Sequence, residues 1–463
     1  MAADIRCLNG EDISFIQPSQ RRQRMTYGGS MPDYQDGSNS QPLTDAQRAE
    51  LIARMKTAWA NLPPDEQAKL KPMLDDAHNQ FGQYLDTGAL PHPKLRPILR
   101  LKSFLTGDWD GHNAKLHARA ADEAIEITVA PGGEILGTGK FQELDPLWEL
   151  VSGTVWLENL LHKHPFPSGT PAPVTIPDVV TIAMVSDFGT GNFGAGDSPS
   201  TKISKFIPSL EPHITIHLGD VYYAGTSAEE SSRLTNVWPR GSFGSFCLNS
   251  NHEMYSGGGP YFNDAVGGPV FNKCQSPWSF FALENSNWII VGLDSAYNAD
   301  VLTLYLDGSL GTNNTQLAFL KQMAEKATNE NKKVIVLTHH NGIPETGVQS
   351  QPPLKVFKQV IGAFEGSNPP AYWYWGHVHA GIVYTPLDAP KGLCCRCIGH
   401  GGLPWGLASE LENSAAVEWF ETRSANDPEN RLRVLNGFVT LQLDGPSLAE
   451  TFYDENGGVA WKG

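Results

Sequence analysis

The sequence contains no uninterrupted apolar stretch approaching the ~20 residues that a membrane-spanning helix needs, so no helical span is expected. Cysteine is scarce, with six in 463 residues. That is too few for a disulfide framework, and Cys394, Cys395 and Cys397 are spaced too closely to pair without strain. The thiols therefore read as reduced and the expected compartment is the cytosol. Basic charge is also in short supply: 34 Lys and Arg against 50 Asp and Glu leave a net charge of -16. Broad electrostatic capture of a nucleic-acid backbone or an anionic membrane is disfavoured on that ground. The opening is polar and carries acids early, and Arg21, Arg22 and Arg24 are followed by TYGGSMPDYQDG rather than an apolar segment. No secretory leader is expected.

What is present points to a loop-rich globular enzyme. Hydrophobic residues make up 40% of the chain and there are 12 Trp, which argues against disorder throughout. Gly and Pro number 46 and 33, more than a coiled coil or helical repeat tolerates. Residues 1–43 carry no period and read as a flexible arm. Thr44, with Gln47 three positions on, is an N-cap candidate for a helix whose apolar stripe is Leu51, Ile52, Met55, Trp59 and Leu62. Asp65 to Leu85 reads as a second helix after the Pro63-Pro64 break, and Leu147 to Leu161 as a third apolar segment. The Pro-rich run PFPSGTPAPVTIPD then marks a boundary, giving a mostly helical region over 44–177 and a second domain over 178–463.

Beyond that boundary, short β-branched runs end in polar or glycine-rich turns: VVTIAMVSDFG, HITIHLGDVYY, FCLNSNHE, NWIIVGLDS, KKVIVLTHHNG and AYWYWGHVHAG. Helix-like sequence such as TQLAFLKQMAEKATNE lies between them, so the expectation is a layered α/β domain with active loops beyond the carboxyl ends of strands. The tail GFVTLQLDGPSLAETFYDENGGVAW reads as a closing β-hairpin. Five strand ends deliver Asp187, then Asp220 with Tyr223, then Asn251 with His252, then His339, then His377 with His379. These oxygen and imidazole donors exceed the needs of one ion. Two ions about 3.5–4 Å apart sharing a carboxylate would use them all.

The order D-x-G, G-D-x-x-Y, N-H-E, V-x-x-H, G-H-x-H resembles the calcineurin-like metallophosphoesterases. Gly189 after Asp187, with Tyr223 after Asp220, is similar to the purple acid phosphatases within them. The resemblance implies an α/β/β/α sandwich over 178–463 in which Asp187, Tyr223 and His379 bind one metal and Asn251, His339 and His377 the other. Asp220 would bridge them. It implies Fe(III) with Zn(II), Mn(II) or Fe(II), because a phenolate with carboxylates is a hard anionic set. It also implies a small phosphorylated substrate, hydroxide made from water at the metals as nucleophile, and His252 acting on the phosphoryl oxygen or the leaving alkoxide, with Glu253 orienting it. A phosphomonoesterase is the expected activity; the alternatives are a phosphodiesterase on the same site and a metal-retaining binding protein without turnover. Ser186 and Ser250 stand where the family usually has Gly, and NGIPETGVQS lacks the histidines that follow V-x-x-H in purple acid phosphatases, with His340 as a substitute.

Other histidines and thiols read as structural. GDWDGH at 107–112 is expected to be a loop, His213 and His217 strand residues, His162 and His164 helix-end residues, and the CCRC cluster buried thiols. His400, in GHGGLPWG, stands as a candidate substrate contact. The helical region is expected to cover the site or mediate association.

Overall fold

The computed structural model describes residues 44–107, 128–193 and 196–463. The arm at 1–43 and GDWDGH from residue 108 onward lie outside them. The helical region comprises α1 (Asp45–Asn61), α2 (Pro64–Thr87), α3 (Leu101–Thr106) and α4 (Pro146–Asn159), with a small ribbon of β1 (Thr128–Val129) and β2 (Ile135–Leu136) before α4. α1 starts where the sequence implies: Thr44 accepts from the Gln47 amide, and the Gln47 side chain returns to the Thr44 amide. α3 and α4 approach closely because position 153 is Gly; an added Cβ would sit 2.6 Å from Leu101 Cδ1.

The second region is a sandwich. One sheet contains β4 (Val179–Val185), β5 (Ile214–His217), β6 (Gly244–Cys247), β14 (Gly437–Asp444), β15 (Ser447–Asp454) and β16 (Val459–Lys462), in the order β16-β15-β14-β4-β5-β6. The other holds β3 (Val174–Thr175), β7 (Phe281–Glu284), β8 (Trp288–Gly292), β9 (Lys333–Leu337), β10 (Tyr372–Trp375), β11 (Gly381–Tyr384), β12 (Cys394–Ile398) and β13 (Val417–Phe420), in the order β13-β11-β12-β10-β9-β8-β7-β3. Period-two alternation builds the layers. Val180, Ile182 and Met184 of β4 face Ile335 and Leu337 of β9 and Tyr374 of β10 between the sheets. Ala183 and Val185 turn outward, toward α5 (Pro199–Phe206), while Val334, Val336, Trp373 and Trp375 turn toward α7 (Thr315–Asn329) and α8 (Lys355–Ala363). The architecture is the expected α/β/β/α arrangement, and β14 with β15 forms the expected hairpin.

The helical region shares a core with one side of the sandwich. One apolar cluster joins Met55, Leu74, Leu101 and Trp156 to Tyr222, Tyr223, Tyr255, Tyr305 and Leu403. Arg100, fully buried, donates from Nε to Glu149 Oε2 at 2.9 Å. Cys247, Cys394, Cys395 and Cys397 are free thiols, but Cys274 is disulfide-bonded. The expectation of uniformly reduced thiols therefore fails. Among the described residues no helix is long and apolar enough to cross a membrane.

The CCRC cluster gains a physical explanation. Cys395 and Cys397 point into the apolar layer, while Arg396 points between the sheets and clasps Glu450 of β15 with two 2.9 Å contacts. Tyr374 donates to the same carboxylate at 2.5 Å. Removing one member of so buried a pair strands the other charge. Glu450→Ala should lower unfolding free energy by about 3–5 kcal/mol in denaturant titration, and Arg396→Met with Glu450→Leu should recover much of that loss.

Candidate metal centre

Each site residue follows a strand. β4 leads through Ser186 to Asp187, β5 through Gly219 to Asp220, β6 through Ser250 to Asn251, β9 through Thr338 to His339, and β10 through Gly376 to His377 and His379. Three of them hold left-handed backbone conformations that non-glycine residues rarely adopt: Asp187 (φ 56°), Asp220 (φ 76°) and His377 (φ 64°). These sharp turns aim side chains across the strand ends instead of along them. The glycines between them are spatially required. A Cβ on Gly219 would lie 2.9 Å from His339 Nδ1, and one on Gly376 would lie 2.5 Å from Asp187 Oδ2.

The donors meet in two adjoining groups. In the first, the Tyr222 hydroxyl lies 2.8 Å from Asp220 Oδ2, 3.1 Å from Asp187 Oδ1 and 3.1 Å from His379 Nε2. His379 Nε2 is in turn 3.3 Å from Asp187 Oδ1. In the second, His339 Nε2 lies 3.3 Å from Asp220 Oδ1 and 3.0 Å from Asn251 Oδ1, and the His377 ring packs beside His339 with centroids 5.2 Å apart. Asp220 therefore turns one carboxylate oxygen to each group. Backbone contacts fix the frame: His339 Nδ1 faces the Leu218 carbonyl at 2.9 Å, which leaves Nε2 for the site, and the His377 amide donates to Asp187 Oδ2.

The electrostatics fit cations. Asp187 and Asp220 are both fully buried. Burial, then the neighbouring Asp220 charge, pushes Asp187 well above the usual carboxylate range. Burial also works against Asp220, but His339, His252 and His377 around it hold it well below that range. Burial and the two carboxylates push the Tyr222 phenol upward. Donor spacings of 2.8–3.3 Å in a buried carboxylate, phenol and imidazole set match ligands sharing a coordination shell, and the tightest groupings are Asp187, Asp220 and His339 and, beside them, His339, His340 and His377. The residues present fit two metal ions.

Four readings of the sequence change. Tyr223 does not reach the centre. Its hydroxyl donates to Asp145 Oδ2 at 2.9 Å, on the side of α4, and Tyr222 occupies the position expected for it. The loop is held in this register because Glu229 accepts from the amides of Tyr223, Ala224 and Thr226 while Arg233 donates to the Tyr222 carbonyl. Glu253 does not orient His252: its carboxyl meets Ser250 Oγ, whose single proton is shared between Glu253 and Asp220, whereas His252 Nδ1 donates to the Tyr223 carbonyl at 2.7 Å. His340 is committed on both nitrogens, to Ser295 Oγ and to the Tyr305 carbonyl, so it cannot serve as a substitute phosphate contact. His400 is buried against Gly381 and Gly437 and stacked on Phe452, away from the cleft.

A cleft of about 130 Å³ opens on the centre, and the helical region supplies one of its walls: Arg96, Glu134, Glu143, Trp148 and Glu149 face Asp220, Asn251, His252, His377 and His379. The expectation that this region covers the site is met in that sense. Two single changes separate the tyrosines. Tyr222→Phe should weaken metal retention by about tenfold or more, read by metal analysis after dialysis. Tyr223→Phe should instead cost about 1 kcal/mol of stability and leave metal content intact.

Residues 180–381 match the family described as calcineurin-like phosphoesterase. A comparison with curated proteins gives no match. Among solved structures, GAP50, titled the anchor in the inner membrane complex of Plasmodium, is 12% identical with a TM-score of 0.41, over 62% of this chain and 88% of that one. A dimetal phosphatase from Danio rerio is 13% identical with a TM-score of 0.39, over 60% of this chain and 96% of that one. Residues 180–381 thus form a calcineurin-like phosphoesterase segment, and that match together with the donor cluster supports a metal-dependent phosphoesterase.

Proposed function

We propose that the protein hydrolyses small phosphate monoesters with a binuclear centre of the purple acid phosphatase kind. The observation that carries this reading is the Tyr222 hydroxyl set among Asp187, Asp220 and His379. Asp187, Tyr222 and His379 would hold one metal, Asn251, His339 and His377 the other, and Asp220 both. A phenol beside two carboxylates favours Fe(III) in the first position, and imidazoles with an amide favour Zn(II), Mn(II) or Fe(II) in the second. When bound, the pair supplies positive charge for the phosphoryl oxygens and lowers the pKa of water at the site.

The chain's own residues do the rest. Asn251 begins the short helix α6 (Asn251–Tyr255), whose Ser250 cap accepts from the His252 amide. With His252 Nδ1 tied to the Tyr223 carbonyl, Nε2 is the nitrogen left for the cleft. That atom can hold a phosphoryl oxygen or pass a proton to the leaving alkoxide. Burial, the largest influence, lowers the His252 pKa, so the protonated form is favoured only on the acid side of its usual range. A cleft of only about 130 Å³, walled in part by Trp148 and Tyr255, supports the reading that a small monoester is the substrate rather than a bulky diester.

Three measurements test the reading. p-Nitrophenyl phosphate should be hydrolysed faster than bis(p-nitrophenyl) phosphate, and the reverse order would make the protein a diesterase. The native protein should be coloured, with the colour lost in Tyr222→Phe; a colourless, fully active zinc or manganese protein would remove Fe(III). His252→Ala should lower kcat by about 10²–10⁴ while metal content stays constant. An unchanged rate would instead support a binding protein that has lost turnover.

A further inference from the structure

Among the described residues, the cleft wall opposite the metal centre carries more carboxylates than cations. Glu143 and Glu345 both line it, and neither side chain has a hydrogen-bond or ion-pair partner among the described residues. Glu134 gives one oxygen to Arg96 and leaves Oε2 buried without a partner. Glu149, only 2% exposed, gives Oε2 to Arg100 and leaves Oε1 likewise unpartnered at the cleft. Against these four carboxylates, Arg96 is the one guanidinium among the described lining residues. Desolvation at the mouth, then the charges of Glu134, Glu410 and Glu143, push Glu345 up to about 7 even though it keeps solvent on one side.

Aromatic surface accompanies the charge. Trp148 and Trp405 line the same cleft; Trp405 is fixed by its indole donating to the Gly132 carbonyl, and Trp148 packs against His252. Aromatic faces with unpaired carboxylates are the surroundings that an organic ammonium group seeks. A further metal ion is disfavoured, since the compact groupings of donors among the described residues belong to the metal centre. The size of the cleft suits a substituent of a few carbon atoms.

Resting on the phosphoesterase reading above, we propose that the alcohol portion of the substrate carries a positively charged nitrogen, so that Glu143, Glu345, Trp148 and Trp405 bind the ammonium while the metal centre takes the phosphate. The substrate class is the free phosphate monoester of an amino alcohol.

The test compares phosphocholine with its uncharged isostere, 3,3-dimethylbutyl phosphate, on the metal-loaded full chain. Phosphocholine should have a kcat/KM about tenfold higher, mainly through KM, and Glu143→Gln with Glu345→Gln should bring the ratio near one. Equal values for the two esters in the unmodified protein, or a preference that survives the double substitution, would overturn the inference. Phosphatidylcholine vesicles, in which the same headgroup is held as a diester, should release nothing; release from them would overturn the free monoester as the substrate. Choline binding followed by tryptophan fluorescence is independent of turnover. If no ester is hydrolysed but choline binds and the double substitution abolishes binding, the catalytic reading fails and the cation site stands; if esters turn over but choline does not bind, the cation site fails alone.

Discussion

Two buried carboxylates facing one phenol set the terms for everything around them. Asp187 and Asp220 are fully enclosed, and no lysine or arginine pairs with either among the described residues. Such a pair in a medium of low dielectric repels strongly unless positive charge is brought between its members. The surrounding architecture serves this requirement: imidazoles converge from β9 and β10, Ser250 donates to Asp220, and the glycines admit a spacing that no other residue permits. Left-handed backbone at Asp187, Asp220 and His377 is the conformational cost of bringing five strand ends to one point.

The helical region is part of the same construction. Its α4 lies against α6, and Ser152 donates to the carbonyl of Tyr223, the carbonyl that also fixes His252. The Asp145 carboxylate caps α4 through the Leu147 amide and at the same time accepts from Tyr223. One acid thus links the start of a helix to the register of the metal-site loop. The wall of the cleft and the alignment of His252 consequently depend on the same helix.

Much of the centre is legible in the sequence because its residues sit at the ends of short β-branched runs. Asp187, Asp220, Asn251, His252, His339, His377 and His379 all come together, and the strand pattern also yields the two-layered sandwich and the final hairpin. The tyrosine was not legible. GDVYY offers two adjacent phenols, and motif spacing selects Tyr223, whereas the choice is made by Glu229 and Arg233 several residues downstream holding the loop backbone. Likewise, nothing in N-H-E says that Glu253 serves Ser250, or in THH that both His340 nitrogens are occupied, because those outcomes depend on tertiary neighbours. The cleft wall was hidden for a different reason: Glu134, Glu143, Trp148, Glu345 and Trp405 belong to no common motif and meet only once both regions are folded.

The pairing of β14 with β4 has a bearing on how the chain assembles as it is made. β4 carries the first site residue, yet its antiparallel neighbour comes from residues 437–444, near the end of the sequence. A nascent chain that has already emitted every metal-site residue still lacks one flank of the strand that places Asp187. Long-range pairing of this sort forms slowly, because the intervening chain must be ordered before the contact repays it. Until the last hairpin emerges, the strand edge and the two acids beyond it stay exposed, and the order of synthesis makes closure of the sheet the step that completes the site.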